Sequence, residues 1–230
     1  MNFMSYMKNI TALLPMKGHS ERVPRKNLKN FNGKPLFHVI IDKLIESKFI
    51  NDIIINTDCD LIKNSAKETY KDYIIIHKRP KEIQGDMVSM NKIIEYDLKN
   101  SKSEIYVQTH STSPLISIKS LDMAIEKMIK RKNQFDSIFS VTKTQTRFYD
   151  KKGNPLNHNP KELIRTQDLD PLFEENSGFY IFTKESFKKA KNKRIGLKPL
   201  MFEIDKIEAT DIDDLCDFKI AEALHKTQKA

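Results

Sequence analysis

The chain has 230 residues, 39% hydrophobic and 31% charged, too apolar for a disordered chain and too polar for a membrane one. Its 40 Lys and Arg against 31 Asp and Glu give a formal charge of +9, which raises nucleic acid, membrane surfaces and anionic small molecules as partners. Its two cysteines, Cys59 and Cys216, lie far apart without metal-ligand spacing, which argues against a disulfide scaffold and fits a reducing cytosol.

Short β-branched runs come first. Ile10 to Leu14 reads as a buried strand, followed by Asp52 to Thr57, Tyr73 to His77, Glu104 to Thr109 and Phe135 to Val141. Continuous apolar runs of this kind suit strands covered on both faces. Helical patterns lie between them. Leu36, Val39, Ile40, Leu44 and Ile45 mark one face behind Pro35 at a first helical position, and Leu121, Ala124, Ile125, Met128 and Ile129 mark another. This alternation predicts right-handed βαβ units and a mostly parallel, Rossmann-like α/β sheet.

From about Thr144 the rhythm changes. Asp150 to Pro155 is a turn signal, and the stretch to Asn176 holds three prolines and no long periodic pattern, so residues 144–176 read as a small inserted arm. Gly178 to Thr183 resumes as a strand, with a helix from Lys184, an extended Phe202 to Ala209 and a closing helix from about Asp214 to His225. A single domain over residues 1–230 is expected. The N-terminus has no leader-like apolar stretch, and no apolar run approaches the roughly 20 residues that span a bilayer. A soluble cytoplasmic protein without a membrane partner is therefore expected.

In an open parallel sheet, ligands bind beyond the carboxyl ends of the strands. The first strand runs there into Met16 to Asn27, a loop with a Gly, a Ser and several cations that suits a polyphosphate. It has neither Walker nor dinucleotide glycine spacing, and a solvated basic loop is the plainer reading.

Leu14-Pro15-Met16-Lys17-Gly18-His19-Ser20, then Val23-Pro24-Arg25-Lys26-Asn27-Leu28 and Gly33-Lys34-Pro35-Leu36, resemble the opening of the acylneuraminate cytidylyltransferases. Further landmarks follow in order: Asn56-Thr57-Asp58, Arg79-Pro80, Asp86, Ser111-Thr112-Ser113-Pro114-Leu115 and Thr210-Asp211-Ile212-Asp213. The resemblance covers nearly the whole chain and rests on their joint order. It implies a fold of the nucleotide-diphospho-sugar transferase type with the arm used for dimerisation. It also implies transfer of CMP from CTP to the hydroxyl of an acidic keto-sugar, releasing pyrophosphate, for lipopolysaccharide or capsule synthesis. By the same resemblance, Lys17 and Lys26 act on the phosphates, and Gly18, Ser20, Asn27, Asp58, Arg79 and Ser113 form the nucleotide pocket. His110, Arg165 and Gln167 meet the sugar, Arg165 from a partner's arm in a homodimer. Asp211 and Asp213 hold Mg²⁺, with Mn²⁺ as the other candidate ion.

Each assignment has a plainer counterpart. Asp213 or Asp214 would cap the closing helix, Asp58 would cap a helix over residues 60–70, and Arg165 would pair with Asp168 or Asp170. Two aspartates two residues apart share one face of an extended segment, which suits a hard cation. The loop also departs from the family pattern. Lys17 replaces an arginine, and Glu21 and Arg22 stand where a lysine and a glycine are usual. Arg22 is expected to take over the missing cation, with Glu21 turned outward or paired with it. These departures, with His110 in place of the usual glutamine, keep two alternatives in view. One is another anionic acceptor such as 3-deoxy-octulosonate; the other is a nucleotide-binding protein without turnover.

Nucleic-acid binding would need an RNA- or DNA-reading motif, and none is present. The charge is instead local. Lys17, Arg22, Arg25, Lys26, Lys29 and Lys34 stand against Glu21 alone, while Glu203 to Asp217 holds seven acids against Lys206. A cationic loop and an acidic strand end suit a metal–triphosphate site.

Overall fold

The computed structural model describes residues 9–131 and 133–228. The N-terminal segment read above for a leader lies outside them. In chain order the elements are β1 (Ile10–Met16), β2 (Asn30–Phe31), β3 (Lys34–Pro35), α1 (Leu36–Glu46), β4 (Asp52–Thr57), α2 (Asp60–Tyr70), β5 (Ile74–Lys78), α3 (Met90–Lys99), β6 (Ile105–Thr109), α4 (Ile118–Arg131), β7 (Ser137–Thr144), β8 (Leu172–Thr183), α5 (Lys184–Lys189), β9 (Pro199–Glu203) and α6 (Leu215–Gln228).

The main sheet has seven strands in the order β5-β4-β1-β6-β8-β7-β9. β4, β5 and β6 run parallel to β1 or its neighbours, β9 runs parallel to β7, and β8 is antiparallel to both β6 and β7. The mostly parallel α/β sheet expected from the sequence is therefore present. Its central strands β1, β4 and β6 are largely apolar because helices cover both faces. Ala12, Leu14, Ile53, Ile55 and Val107 pack with residues of α1, α2 and α4. Leu13, Ile54, Tyr106, Tyr180 and Phe182 pack on the other face with Ile94 and Leu98 of α3 and Phe187 of α5. A third cluster joins Phe31, Leu36 and Val39 to Ile212, Phe218 and Ala221, which docks α6 on the β2–β3 hairpin. That hairpin turns through Asn32 and Gly33, with φ of 50° and 93°, the left-handed pair that a type I′ turn requires. Among the described residues, no helix is long and apolar enough to cross a membrane.

The crevice beside β1 has a local cause. Pairing with β4 continues to Met16 opposite Thr57, whereas pairing with β6 stops at Leu13 opposite Gln108. Pro15, with no N–H to give a ladder, lies just past that point. The two central strands part there.

The structure shifts three sequence expectations. Pro35 is the N-cap of α1 rather than its first helical residue. The eighth strand starts at Leu172, six residues before Gly178, because Thr142 to Thr144 pair with Glu174 to Leu172 at the base of the arm. The arm therefore grows from a hairpin continuous with the main sheet. The last strand is Pro199–Glu203 rather than Phe202 to Ala209. Beyond it Asp205 starts a turn: its carboxylate accepts the Ile207 amide and its carbonyl accepts that of Ala209.

Candidate active site

A cleft of about 440 Å³ opens at the carboxyl ends of β1, β5 and β6. Lys17, Ser20, Glu21, Arg22, Lys26 and Asn27 of the β1 loop line it, together with Arg79, Asp86 and His110 to Thr112. Buried Val23 anchors the loop, and Arg25 adopts a left-handed conformation (φ 52°) that leads into a tight turn over Lys26 to Leu28.

Gly18 is held where a side chain does not fit. Its amide donates to the Asp58 carboxylate at 3.0 Å, and a Cβ built on it would lie 2.6 Å from Cys59 Cβ. Gly18→Ala is expected to displace the loop and to cost about 1–3 kcal/mol of stability, the usual effect of one overpacked contact. Adding Cys59→Gly removes the colliding atoms and is expected to restore most of it. Urea unfolding checks both, and an unrescued double variant would show that the contact is not the cause.

Asn27 ties three segments together. Its amide donates to the Lys17 carbonyl at 2.9 Å and its oxygen accepts the Ser111 hydroxyl at 2.7 Å. Lys17 reaches across to Asp86 at 2.5 Å, and this ion pair keeps the Asp86 carboxyl below its usual range. Lys26 donates to the Ile212 carbonyl at 2.5 Å. Burial lowers its pKa, partly offset by the carboxylates of Asp211 and Asp213.

Arg79 lines the cleft but is tied into the fold. Only 5% exposed, it donates from Nε to Asn56 Oδ1 and from Nη2 to the carbonyls of Met16 and Asn56. Ser113 is 3% exposed and lies outside the cleft lining; Ser111 and Thr112 of the same run line it instead. Gly18 and Asp58 stand behind the loop rather than on the lining. Asp58 does not cap α2, whose N-cap is Cys59.

The paired aspartates separate cleanly from the helix cap. Asp214 accepts the amides of Cys216 and Asp217 at 2.7 and 3.0 Å and so caps α6. Asp213 instead pairs with Arg22 at 2.6 Å. The expected loop cation is therefore found on the carboxylate opposite: Arg22 bonds Asp213 rather than Glu21. The Asp211 pKa is raised by burial and by the charge of Asp213, against a hydrogen bond from Thr112. Both aspartates line a neighbouring cavity of about 540 Å³ and reach the first one through Arg22, Lys26 and Thr112. Among the described residues, no group of three or more His, Cys, Asp and Glu could hold a metal. Two hard carboxylate donors are nevertheless what Mg²⁺ uses when phosphate oxygens and water complete its shell.

Arg165 and Gln167 do not line the cleft of their own chain. Arg165 makes a forked pair with Asp168 at 2.7 and 3.1 Å, and the Gln167 carbonyl accepts Gln145. Two site features escaped sequence reasoning. Gln108 was legible as a polar residue inside an apolar strand beside His110, whereas Arg194, which bonds it, is 86 residues away and left no local signal.

A cationic loop over the carboxyl ends of a parallel sheet, with carboxylates opposite, is the architecture of an α/β nucleotide-binding site. A family model described as cytidylyltransferase matches residues 11–229, and the chain belongs to that family. It is 29% identical over 223 residues to N-acylneuraminate cytidylyltransferase A of Danio rerio, covering 94% of this chain and 50% of that one. It is 26% identical over 234 residues to a pseudaminic acid cytidylyltransferase of Campylobacter jejuni, covering 96% and 97%. The chain thus spans about half the length of the first relative and nearly all of the second. A CMP:2-keto-3-deoxy-manno-octonic acid synthetase structure, complexed with CTP, superposes with a TM-score of 0.70 at 10% identity, covering 96% of this chain and 99% of that one.

Proposed function

We propose that this chain transfers CMP from CTP to the hydroxyl of an acidic keto-sugar of the nonulosonate class, such as sialic, legionaminic or pseudaminic acid, and releases pyrophosphate. The observation that carries this reading is the cleft itself, lined by Lys17, Arg22 and Lys26, with Arg22 paired to Asp213 and Lys26 under the field of Asp211 and Asp213 in the adjoining cavity. Nucleotidyl transfer depends mainly on positioning and charge neutralisation. Lys26 and Lys17 place cations along the triphosphate, and Asn27 with Ser111 fixes the loop that carries them. Asp211 and Asp213 would hold Mg²⁺, or Mn²⁺, which when bound neutralises charge on the phosphate oxygens. A bound triphosphate would draw Arg22 away from Asp213, leaving that carboxylate to hold the ion.

Arg22→Ala is expected to weaken CTP affinity about tenfold in the presence of Mg²⁺ while changing stability by under about 1 kcal/mol, because the pair is exposed. Isothermal titration and urea unfolding read the two effects. Unchanged affinity would remove Arg22 from the site.

The arm supports a homodimer in which Arg165 faces the partner's bound sugar. Leu163 is 98% exposed and Leu156 64% exposed beside it, and an Arg fork suits a carboxylate. A cytoplasmic role in lipopolysaccharide or capsule synthesis follows from the acceptor class. The test of the whole reading is pyrophosphate release from CTP and Mg²⁺ over a panel of keto-acids. Release with a nonulosonate supports it, and release with 3-deoxy-octulosonate alone moves the chain to that acceptor. Absence of release with every acceptor leaves a nucleotide-binding protein.

A further inference from the structure

We propose that Arg194 and Gln108 are positioning residues that lock His110 as the neutral tautomer with its proton on Nδ1, presenting a single uncharged donor to an acceptor oxygen of the sugar. This deepens the reading above and rests on it for the identity of the ligand.

The argument follows from which groups can only donate and which can only accept. Gln108 sits on β6 opposite Tyr180 of β8. One end of its amide lies 2.6 Å from Arg194 Nη1. A guanidinium has no acceptor, so that end is Oε1. The other end lies 2.9 Å from the Thr109 carbonyl, which has no donor, so it is Nε2. Two independent contacts thus fix the amide in one orientation. The same Nε2 lies 3.0 Å from His110 Nε2. Since the amide nitrogen can only donate, His110 Nε2 must be the bare, accepting nitrogen, and the ring proton sits on Nδ1. An imidazolium would set two donors against each other at that distance.

The far end of the relay is rigid as well. Arg194 stacks 4.0 Å above the Tyr180 ring, and Tyr180 is 1% exposed with its hydroxyl donating to Glu175. The charged groups facing His110 also favour the neutral ring. Burial, with Arg194 and Lys26, pushes its pKa down to about 4. His110 lines the cleft, and no other hydrogen bond of its ring is found among the described residues. A glutamine in this place would offer a donor and an acceptor. His110 held this way offers a donor alone, and selects a hydroxyl or amide-carbonyl oxygen over an ammonium group.

Two-bond ¹H–¹⁵N spectra of the ligand-free protein, with ¹⁵N-histidine and assignment by His110→Gln, read the tautomer directly. The wild type is expected to show an Nδ1–H ring that stays neutral from pH 5.5 to 8. An Nε2–H ring, or a cationic one at pH 7, overturns the proposal. Gln108→Glu replaces the donor by an acceptor, and is expected to move the proton to Nε2 and raise the His110 pKa above 6. An unmoved proton overturns the role of Gln108. With an active acceptor, Gln108→Glu is expected to raise the sugar KM about tenfold, the loss of one hydrogen bond, with kcat and CTP affinity little changed. A flipped tautomer with an unchanged KM overturns the recognition step. Absence of turnover with any keto-acid overturns the proposed function but leaves the spectroscopic result standing, so the two failures are distinguishable.

Discussion

Arg79→Ala is expected to destabilise the protein by about 3 kcal/mol or more, through the loss of a buried charge and several hydrogen bonds at once. The guanidinium joins the end of β1, through the Met16 carbonyl, to the end of β4, through Asn56. Asn56 is fully buried, so its oxygen would be left without a donor. Asn56 also donates to Asp97 at 2.7 Å, and burial already pushes the Asp97 pKa up despite nearby Arg79 and His77. Removing the cation leaves that carboxylate less compensated. Arg79→Lys keeps the charge without the fork and should fall between wild type and alanine. Urea unfolding measures the series. A loss under about 1 kcal/mol would mean that Arg79 acts on the nucleotide rather than as a clamp.

Lys26→Ala is expected to do the reverse, lowering kcat/KM by about 10²–10³-fold, in line with removal of one preorganised charge from a transition state, while the fold survives. Burial lowers the Lys26 pKa, so the folded protein holds this charge against a desolvation cost, and its removal relieves that cost. A bound triphosphate supplies the missing counter-charge. Steady-state pyrophosphate release gives the turnover and thermal unfolding gives the control. A variant that folds and turns over normally would remove Lys26 from the chemistry.

The contrast between these two residues marks what was legible in the sequence. The strands at Ile10, Asp52 and Ile105 were readable because burial on both faces leaves uninterrupted apolar runs, and the one at Ile74 from its three successive isoleucines. The first half of β8 was not, because Leu172 to Glu175 is exposed and pairs only with β7, which leaves no apolar pattern. Lys26 and Asn27 were readable as part of a loop whose composition suits phosphate. Ser113 lies off the cleft lining because a turn decides which of three neighbouring hydroxyl residues faces it, and the Ser113 amide is bonded to the His110 carbonyl inside that turn. Arg79 looked like a ligand because its type and position allow it. Only the carbonyls around it show that it holds two strand ends together.

The sheet order has a consequence for how the molecule comes together. Among the described residues, β7 pairs with β8 and β9 alone, while β6 pairs with β1 and β8 alone. Until β8 is laid, the chain therefore holds two separate sheets: a parallel one from β5 to β6, and a fragment of β7 and β9. All main-sheet backbone pairing between them passes through the seam of Ile105–Thr109 with Phe179–Thr183. Gln108 and Tyr180 face each other in the middle of that seam. The Gln108 contact with His110 is thus assembled on the joint that closes the sheet, and a chain with an open joint has its basic β1 loop without the partner that orients the His110 ring.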